Sequence, residues 1–186
     1  MVGGSIPSAR TRKEKSKSFG SPRGRPVEIK GDIENNLMNI KYLDLSKDEK
    51  ELIDAAERVL ANAYNPYGSQ TKVGASARIS SGEIVIGSSM ANASSTVNLC
   101  AERVALAAAN SIGHRDIIAM AIIGTDSDGV IENPIMPCGV CRQFMEEFLI
   151  INNKDIPIIC SNSSKDIIIR TSFKELLPLP YEGNRQ

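Results

Sequence analysis

Two short segments that hold three of the chain's four cysteines constrain its fold more than any other feature. One reads Cys-Ala-Glu-Arg over residues 100–103, and the other reads Pro-Cys-Gly-Val-Cys-Arg-Gln over residues 137–143. Three thiolates leave one of zinc's four tetrahedral positions free for water, as in a catalytic rather than a closed structural site. A fold that uses this set has to bring Cys100, Cys138 and Cys141 together, with Glu102 beside the open position.

Hydrophobic periodicity and capping signals predict four helices and five strands. Capping-box patterns start a first helix at Ser46 and a short last helix at Ser172, and the two cysteine segments start the second and third helices. The long helices are predicted at 47–64, 100–111 and 138–149, and the strands at 73–79, 84–87, 117–124, 156–160 and 167–170. The order α-β-β-α-β-α-β-β-α predicts an α/β fold with one mixed sheet and helices on both faces.

The formal net charge of zero conceals an uneven distribution. Residues 1–30 carry eight Lys or Arg against two Glu, a net +6, which leaves 14 basic and 20 acidic residues, a net −6, in the remainder. An acidic body argues against polynucleotide binding, so any nucleic-acid affinity would belong to the tail. Residues 1–40, rich in Gly, Ser and Pro, are predicted to be a disordered basic tail, and residues 46–183 a single catalytic domain.

The sequence also bears on the cellular compartment. It has no apolar run near the roughly 20 residues that cross a bilayer, so no membrane partner is expected. Four cysteines without a secretory signal predict a reducing, cytoplasmic location. Organelle targeting by the basic, Ser-rich N-terminus is the minority alternative.

The residues around the cysteines fit a catalytic metal site. A helix N-terminus favours thiolate over thiol, and Arg103, next along from Ala101 and Glu102, can donate to a thiolate sulfur and offset its charge. His114 is predicted to lie about 18 Å from Cys100 at the far end of the same helix, too far to share one zinc ion. Cys160 lies within an apolar strand and is expected to be a core residue.

The two segments resemble the signature of the zinc-dependent deaminases in its three-cysteine form. More narrowly, they resemble the small cytidine deaminases of pyrimidine salvage. The likeness extends over residues 46–183 and includes further segments at 66–67, 73–75, 92–94 and 175–179. It implies a three-layer α/β/α sandwich around a five-stranded mixed sheet, and a homotetramer or homodimer whose sites are completed across subunit contacts.

The resemblance also implies roles for individual residues. Cys100, Cys138 and Cys141 would be the zinc ligands, and Glu102 would be the catalytic proton shuttle. Ala101 and Arg103 would stand immediately behind the ligands.

The chain departs from the family pattern in the substrate pocket. Ser89 and Ala91 stand where the family has the Asn and the Glu that hold the sugar 3′-hydroxyl. Residues 68–72 contain no aromatic residue where the family places a Phe that stacks on the base. Tyr181 stands where the family usually has a Phe that closes over a neighbouring subunit's site. Ser89, Ala91 and Tyr181 are the predicted substrate contacts.

The expected function is that of a hydrolase: zinc-dependent deamination of a cytidine-like aminopyrimidine nucleoside with release of ammonia. A blasticidin-like nucleoside with a modified sugar, or another cytosine-like amine, is an alternative substrate. A non-catalytic nucleoside- or RNA-binding protein that retains the zinc site is an alternative of another class, which the intact Glu102 disfavours. A polynucleotide-editing deaminase recruited by the basic tail is a third hypothesis.

Overall fold

The structure, a computed structural model, describes residues 39–68 and 70–184 of the 186-residue chain. Almost all of the predicted basic tail, residues 1–40, lies outside these residues. The tail and the boundaries of the catalytic domain at 46–183 therefore stay predictions. No helix within the described ranges combines the length and the apolar character needed to cross a membrane.

The described residues form six strands and four α-helices. The helices are α1 (Lys47–Val59), α2 (Ala101–Ser111), α3 (Gly139–Asn152) and α4 (Phe173–Leu176). The strands are β1 (Asn39–Ile40), β2 (Lys72–Ile79), β3 (Ile84–Ser88), β4 (Ile117–Thr125), β5 (Pro157–Ser161) and β6 (Ile168–Ser172).

The strands form one mixed sheet in the order β1-β6-β5-β4-β2-β3. Strands β4 and β5 pair in parallel, and every other neighbouring pair is antiparallel. The five predicted strands are confirmed. The two-residue strand β1, which pairs with β6 through Asn39 and Ile40, was not predicted because so short a segment has no periodicity of its own.

Side chains alternate between the two faces of the sheet, and each face is covered by helices. On β2, Ala75 and Ala77 pack into the core with α2, α3 and α4. Ser76 points to the other face, where its hydroxyl donates to the Leu52 carbonyl of α1 over 2.7 Å. The predicted three-layer α/β/α sandwich is therefore confirmed.

The first helix begins as predicted and ends earlier than predicted. The Ser46 hydroxyl accepts from the Glu49 N–H, and the Glu49 carboxylate accepts from the Ser46 N–H over 2.9 Å, which completes a capping box. The predicted helix 47–64 ends at Val59, and its last turn tightens into a 3₁₀ turn over Leu60–Asn62.

Strand directions determine where the two cysteine segments meet. Strands β3 and β4 are both antiparallel to β2 and therefore run in the same direction. Their C-terminal ends lie at one edge of the sheet, and the loops that lead to α2 and α3 leave from that edge. This edge is where open α/β sheets place their ligand sites.

Gly87 in β3 allows α2 to lie directly on the sheet. A Cβ atom at this position would clash with the backbone N of Ala105 and the backbone O of Ala101. We expect Gly87→Ala to lower the free energy of unfolding by about 1–3 kcal/mol, because α2 has to move away from the strand. Chemical denaturation measures the loss.

Gly139→Ala is the matched control, because a Cβ atom at Gly139 has no atom within 4 Å and its φ is not positive. We expect this variant to change the free energy of unfolding by less than about 1 kcal/mol. Equal losses in the two variants would contradict the role assigned to Gly87.

Candidate active site

The three cysteines of the two segments form one cluster at the shared edge. Cys100 is the N-cap of α2, Cys138 is the N-cap of α3, and Cys141 lies in the first turn of α3. Their Sγ atoms all lie within 4.8 Å of one another, and those of Cys138 and Cys141 are 3.5 Å apart. A tetrahedral zinc ion with Zn–S bonds of about 2.3 Å requires sulfurs about 3.8 Å apart, so this donor set fits zinc.

Charge within the cluster favours a thiolate at Cys100. A hydrogen bond from Cys141 and the nearby Arg103 guanidinium lower the pKa of Cys100 to about 5. The same hydrogen bond and burial raise the pKa of Cys141. Arg103 Nη2 lies 3.9 Å from Cys100 Sγ and donates to the Asn98 carbonyl over 2.6 Å, so its positive charge is held against the cluster.

Glu102 lies in the first turn of α2 and is only 5% exposed. Burial raises the pKa of its carboxyl group. The side chain lines the same cleft as Cys100 and Cys138, although it does not belong to the cysteine cluster. The carboxyl group is therefore placed beside the cluster in a setting where it can hold a proton as well as release one.

The cleft, of about 210 Å³, has a largely apolar wall beside the cysteine cluster. Val73, Leu99, Ile135 and Met136 form much of this wall. No aromatic side chain of a described residue lines it, as expected from the composition of residues 68–72.

Ser89 and Ala91 both line the cleft, on the segment that follows β3. The Ser89 hydroxyl accepts a hydrogen bond from the Val73 N–H over 2.9 Å, and the Ser89 N–H donates to the Val73 carbonyl over 2.9 Å. The hydroxyl thus extends the pairing of β2 with β3. Its role as a substrate contact stays a prediction.

Two other predicted site residues lie away from the cleft wall. Ala101, the first residue of α2, is fully buried in the core. Tyr181 is 78% exposed, and its backbone N–H and carbonyl pair with the Gln143 amide over 3.1 and 2.7 Å. Tyr181 does not line the cleft of its own chain, so its action on a neighbouring subunit stays a prediction.

The cleft includes two asparagines that the sequence patterns did not single out. The Asn65 amide donates to the Thr71 carbonyl over 2.8 Å and accepts from the Tyr67 N–H over 3.1 Å, which closes the loop before β2. An Asn before a Pro is a typical start of such a turn, and that signal could have indicated it. Asn98, two residues before Cys100, belongs to no local motif.

A buried asparagine outside the cleft fastens the loop that leads to Cys138. Asn162, 2% exposed, donates to the Glu132 carbonyl over 3.0 Å. The Ile131 N–H donates to the Ser163 hydroxyl over 2.8 Å, so the loop after β4 is held against the end of β5. These contacts fix where Ile135 and the following residues enter the cleft wall.

Residues 46–154 match the family described as the cytidine and deoxycytidylate deaminase zinc-binding region. The chain is 36% identical to a cytidine deaminase of Halalkalibacterium halodurans over 131 residues, which are 70% of this chain and 92% of that protein. It is 25% identical to the blasticidin-S deaminase of Bacillus cereus over 148 residues, which are 78% of this chain and 100% of that protein.

A solved structure agrees with these matches. The crystal structure of cytidine deaminase from Burkholderia pseudomallei aligns with a TM-score of 0.63 at 33% identity, and covers 74% of this chain and 100% of that one. The fold and the three-cysteine site define a zinc-dependent deaminase domain. This protein belongs to the cytidine and deoxycytidylate deaminase family.

We expect the purified protein to contain one zinc ion per chain. Cys100→Ala and Cys138→Ala should each lose most of this zinc, because two remaining thiolates bind the ion far more weakly. Elemental analysis of the purified variants measures the metal content.

Cys160→Ala is the control, since Cys160 is buried in the core on β5 and is not part of the cluster. This variant should keep its zinc. Full zinc content in the Cys100 and Cys138 variants, or zinc loss in the Cys160 variant, would contradict the ligand assignment.

Proposed function

We propose that this protein catalyses the hydrolytic deamination of a cytidine-like aminopyrimidine nucleoside. Water replaces the exocyclic amine: a C–O bond forms, the C–N bond breaks, and ammonia leaves without any change of oxidation state. The observation that carries this proposal is the placement of a buried Glu102 beside three clustered cysteines at the edge where two helices begin. The enzyme is accordingly a hydrolase that acts on the C–N bond of a cyclic amidine.

The three cysteines would hold the zinc ion, which would supply an activated water for the reaction. Glu102 would accept a proton from the attacking water and pass it to the ring nitrogen, and would then accept the proton of the newly added hydroxyl and deliver it to the departing amine. The apolar wall of the cleft limits the number of competing water molecules around the carboxylate. Arg103 would balance the negative charge of the thiolates from behind Cys100.

The relatives and the residues of the cleft both bear on which nucleoside is the substrate. The relative that aligns over its full length at 25% identity is a blasticidin-S deaminase. This chain has Ser89 and Ala91 at the two positions where the cytidine deaminase pattern has residues that hold the sugar hydroxyl. A modified-sugar nucleoside is therefore the second candidate substrate. A binding protein without turnover is less well supported, because a purely structural zinc site has no use for a buried Glu102.

We also propose self-association, with a homotetramer or homodimer as the form. Exposed apolar side chains lie near the starts of α2 and α3: Leu99, which precedes α2, is 45% exposed, and Val140 and Phe144 on α3 are 65% and 37% exposed. Apolar side chains grouped in this way are typical of a surface that is covered by a partner. Pyrimidine salvage and a cytoplasmic location remain part of the proposal, supported by the family and by four unpaired cysteines.

Glu102→Gln should keep its zinc and lose at least about 100-fold in kcat, because the amide cannot carry the proton. Ammonia release from cytidine, deoxycytidine, cytosine and modified-sugar analogues measures turnover, and elemental analysis of the same samples verifies the metal. Wild-type activity in the Glu102 variant would refute the proton-transfer role. A zinc-loaded wild-type protein that deaminates none of the compounds would favour the binding-protein alternative.

Ser89→Ala tests both roles of this hydroxyl, the hydrogen bond that it accepts from the Val73 N–H and the O–H that it can still donate to a substrate. The same substitution should lower the free energy of unfolding by about 1 kcal/mol, since that N–H loses its partner. Steady-state kinetics and chemical denaturation on one preparation separate the two effects. A large rise in KM with unchanged stability would instead show that the hydroxyl contacts the substrate.

A further inference from the structure

Asn98 has a side chain that the protein holds in a fixed orientation. Its Oδ1 accepts from the Asn92 N–H over 2.7 Å, and its main-chain carbonyl accepts from Arg103 Nη2 over 2.6 Å. A backbone N–H can only donate, so its partner must be the amide oxygen, and the amide nitrogen is the group left over.

The amide nitrogen of Asn98 has two N–H groups to donate. Within residues 39–68 and 70–184, Nδ2 of Asn98 makes no hydrogen bond, and the side chain lines the cleft. The Asn65 amide, also in the cleft wall, donates to the Thr71 carbonyl instead. Asn98 therefore offers a neutral donor that is already oriented and that no other described residue uses.

The backbone places this donor beside the segment that follows β3. Met90 and Leu99 exchange two hydrogen bonds, each 2.9 Å long, so Asn98 is held next to Ala91. On this segment the Ser89 hydroxyl is bound to the Val73 N–H and Ala91 has no polar side-chain atom. The Ser89 hydroxyl keeps one O–H to donate, but the Asn98 amide has two N–H groups in an orientation that the backbone fixes, and it is therefore our candidate for a contact with the sugar of a nucleoside.

We propose that Asn98 is a specificity-determining residue that donates from Nδ2 to a hydroxyl oxygen on the sugar of the substrate. This inference rests on the proposed function and names the part of the substrate that the residue recognises. The hydrogen bond from Asn98 has the opposite direction to one made by a carboxylate at position 91, because an amide nitrogen donates and a carboxylate accepts. A neutral donor also tolerates an anionic substituent on the sugar, which a carboxylate would repel.

The test compares wild type and Asn98→Ala on cytidine and on three analogues that lack the 2′-, 3′- or 5′-hydroxyl. We expect the substitution to lower kcat/KM for cytidine about 3- to 10-fold, mainly through KM, as befits one neutral hydrogen bond. For the analogue that lacks the contacted hydroxyl, the same substitution should change kcat/KM by less than about twofold. An equal loss on all four compounds would indicate a merely structural role, and no loss on cytidine would exclude the contact; both results overturn the proposal.

A binding measurement serves as the control. Calorimetric titration with uridine and its matching deoxy analogues measures the same contact without turnover. Selectivity lost on Asn98→Ala in binding, with no deamination by wild type, would refute the proposed function and support the contact. If wild type deaminates cytidine and Asn98→Ala keeps the wild-type selectivity, the proposed function is supported and the contact is refuted.

Discussion

The site depends on one topological constraint, the position of β2 between two strands that both run opposite to it. Because β3 and β4 then run in the same direction, the chain leaves both of them at the same edge of the sheet. Two helices consequently begin side by side, and their N-caps and first turns supply the three sulfurs and the carboxylate. The absence of a side chain at Gly87 brings α2 close enough to the sheet for the cluster to form.

Most of the fold could be predicted from local patterns, because each long element carries its own periodicity and its own start signal. The buried run of β4 and the capping box of α1 are examples of signals that need no tertiary information. Strand β1 could not be predicted, since its two residues are ordered by pairing with Ile168 and Ile169 of β6. The end of α1 was placed too late because the change to a 3₁₀ turn leaves no mark in an apolar pattern.

The reaction centre and the pocket differ in how far the sequence could describe them. Cysteine and glutamate chemistry belongs to the residue type, so spacing alone indicated which side chains would converge. A pocket contact depends instead on which hydrogen bonds a side chain has already made inside the protein. Ser89 stands where the resemblance implies a substrate contact, and the structure adds that its hydroxyl accepts from a backbone N–H of the sheet; the contact itself stays a prediction. Asn98 matched no motif, yet its side chain lines the cleft with its amide oriented by the backbone N–H of Asn92.

Arg103 has a consequence for how a family member of this kind can change over evolution. Its guanidinium lies 3.9 Å from the sulfur of Cys100, which we propose as a metal ligand, and also donates to the carbonyl of Asn98 in the cleft wall. On this assignment one side chain affects both metal affinity and pocket shape, and a substitution selected for either property alters the other. The side chain at position 91 takes part in neither contact. We therefore expect substitutions that change substrate specificity to accumulate at positions such as 91, while the arginine is retained.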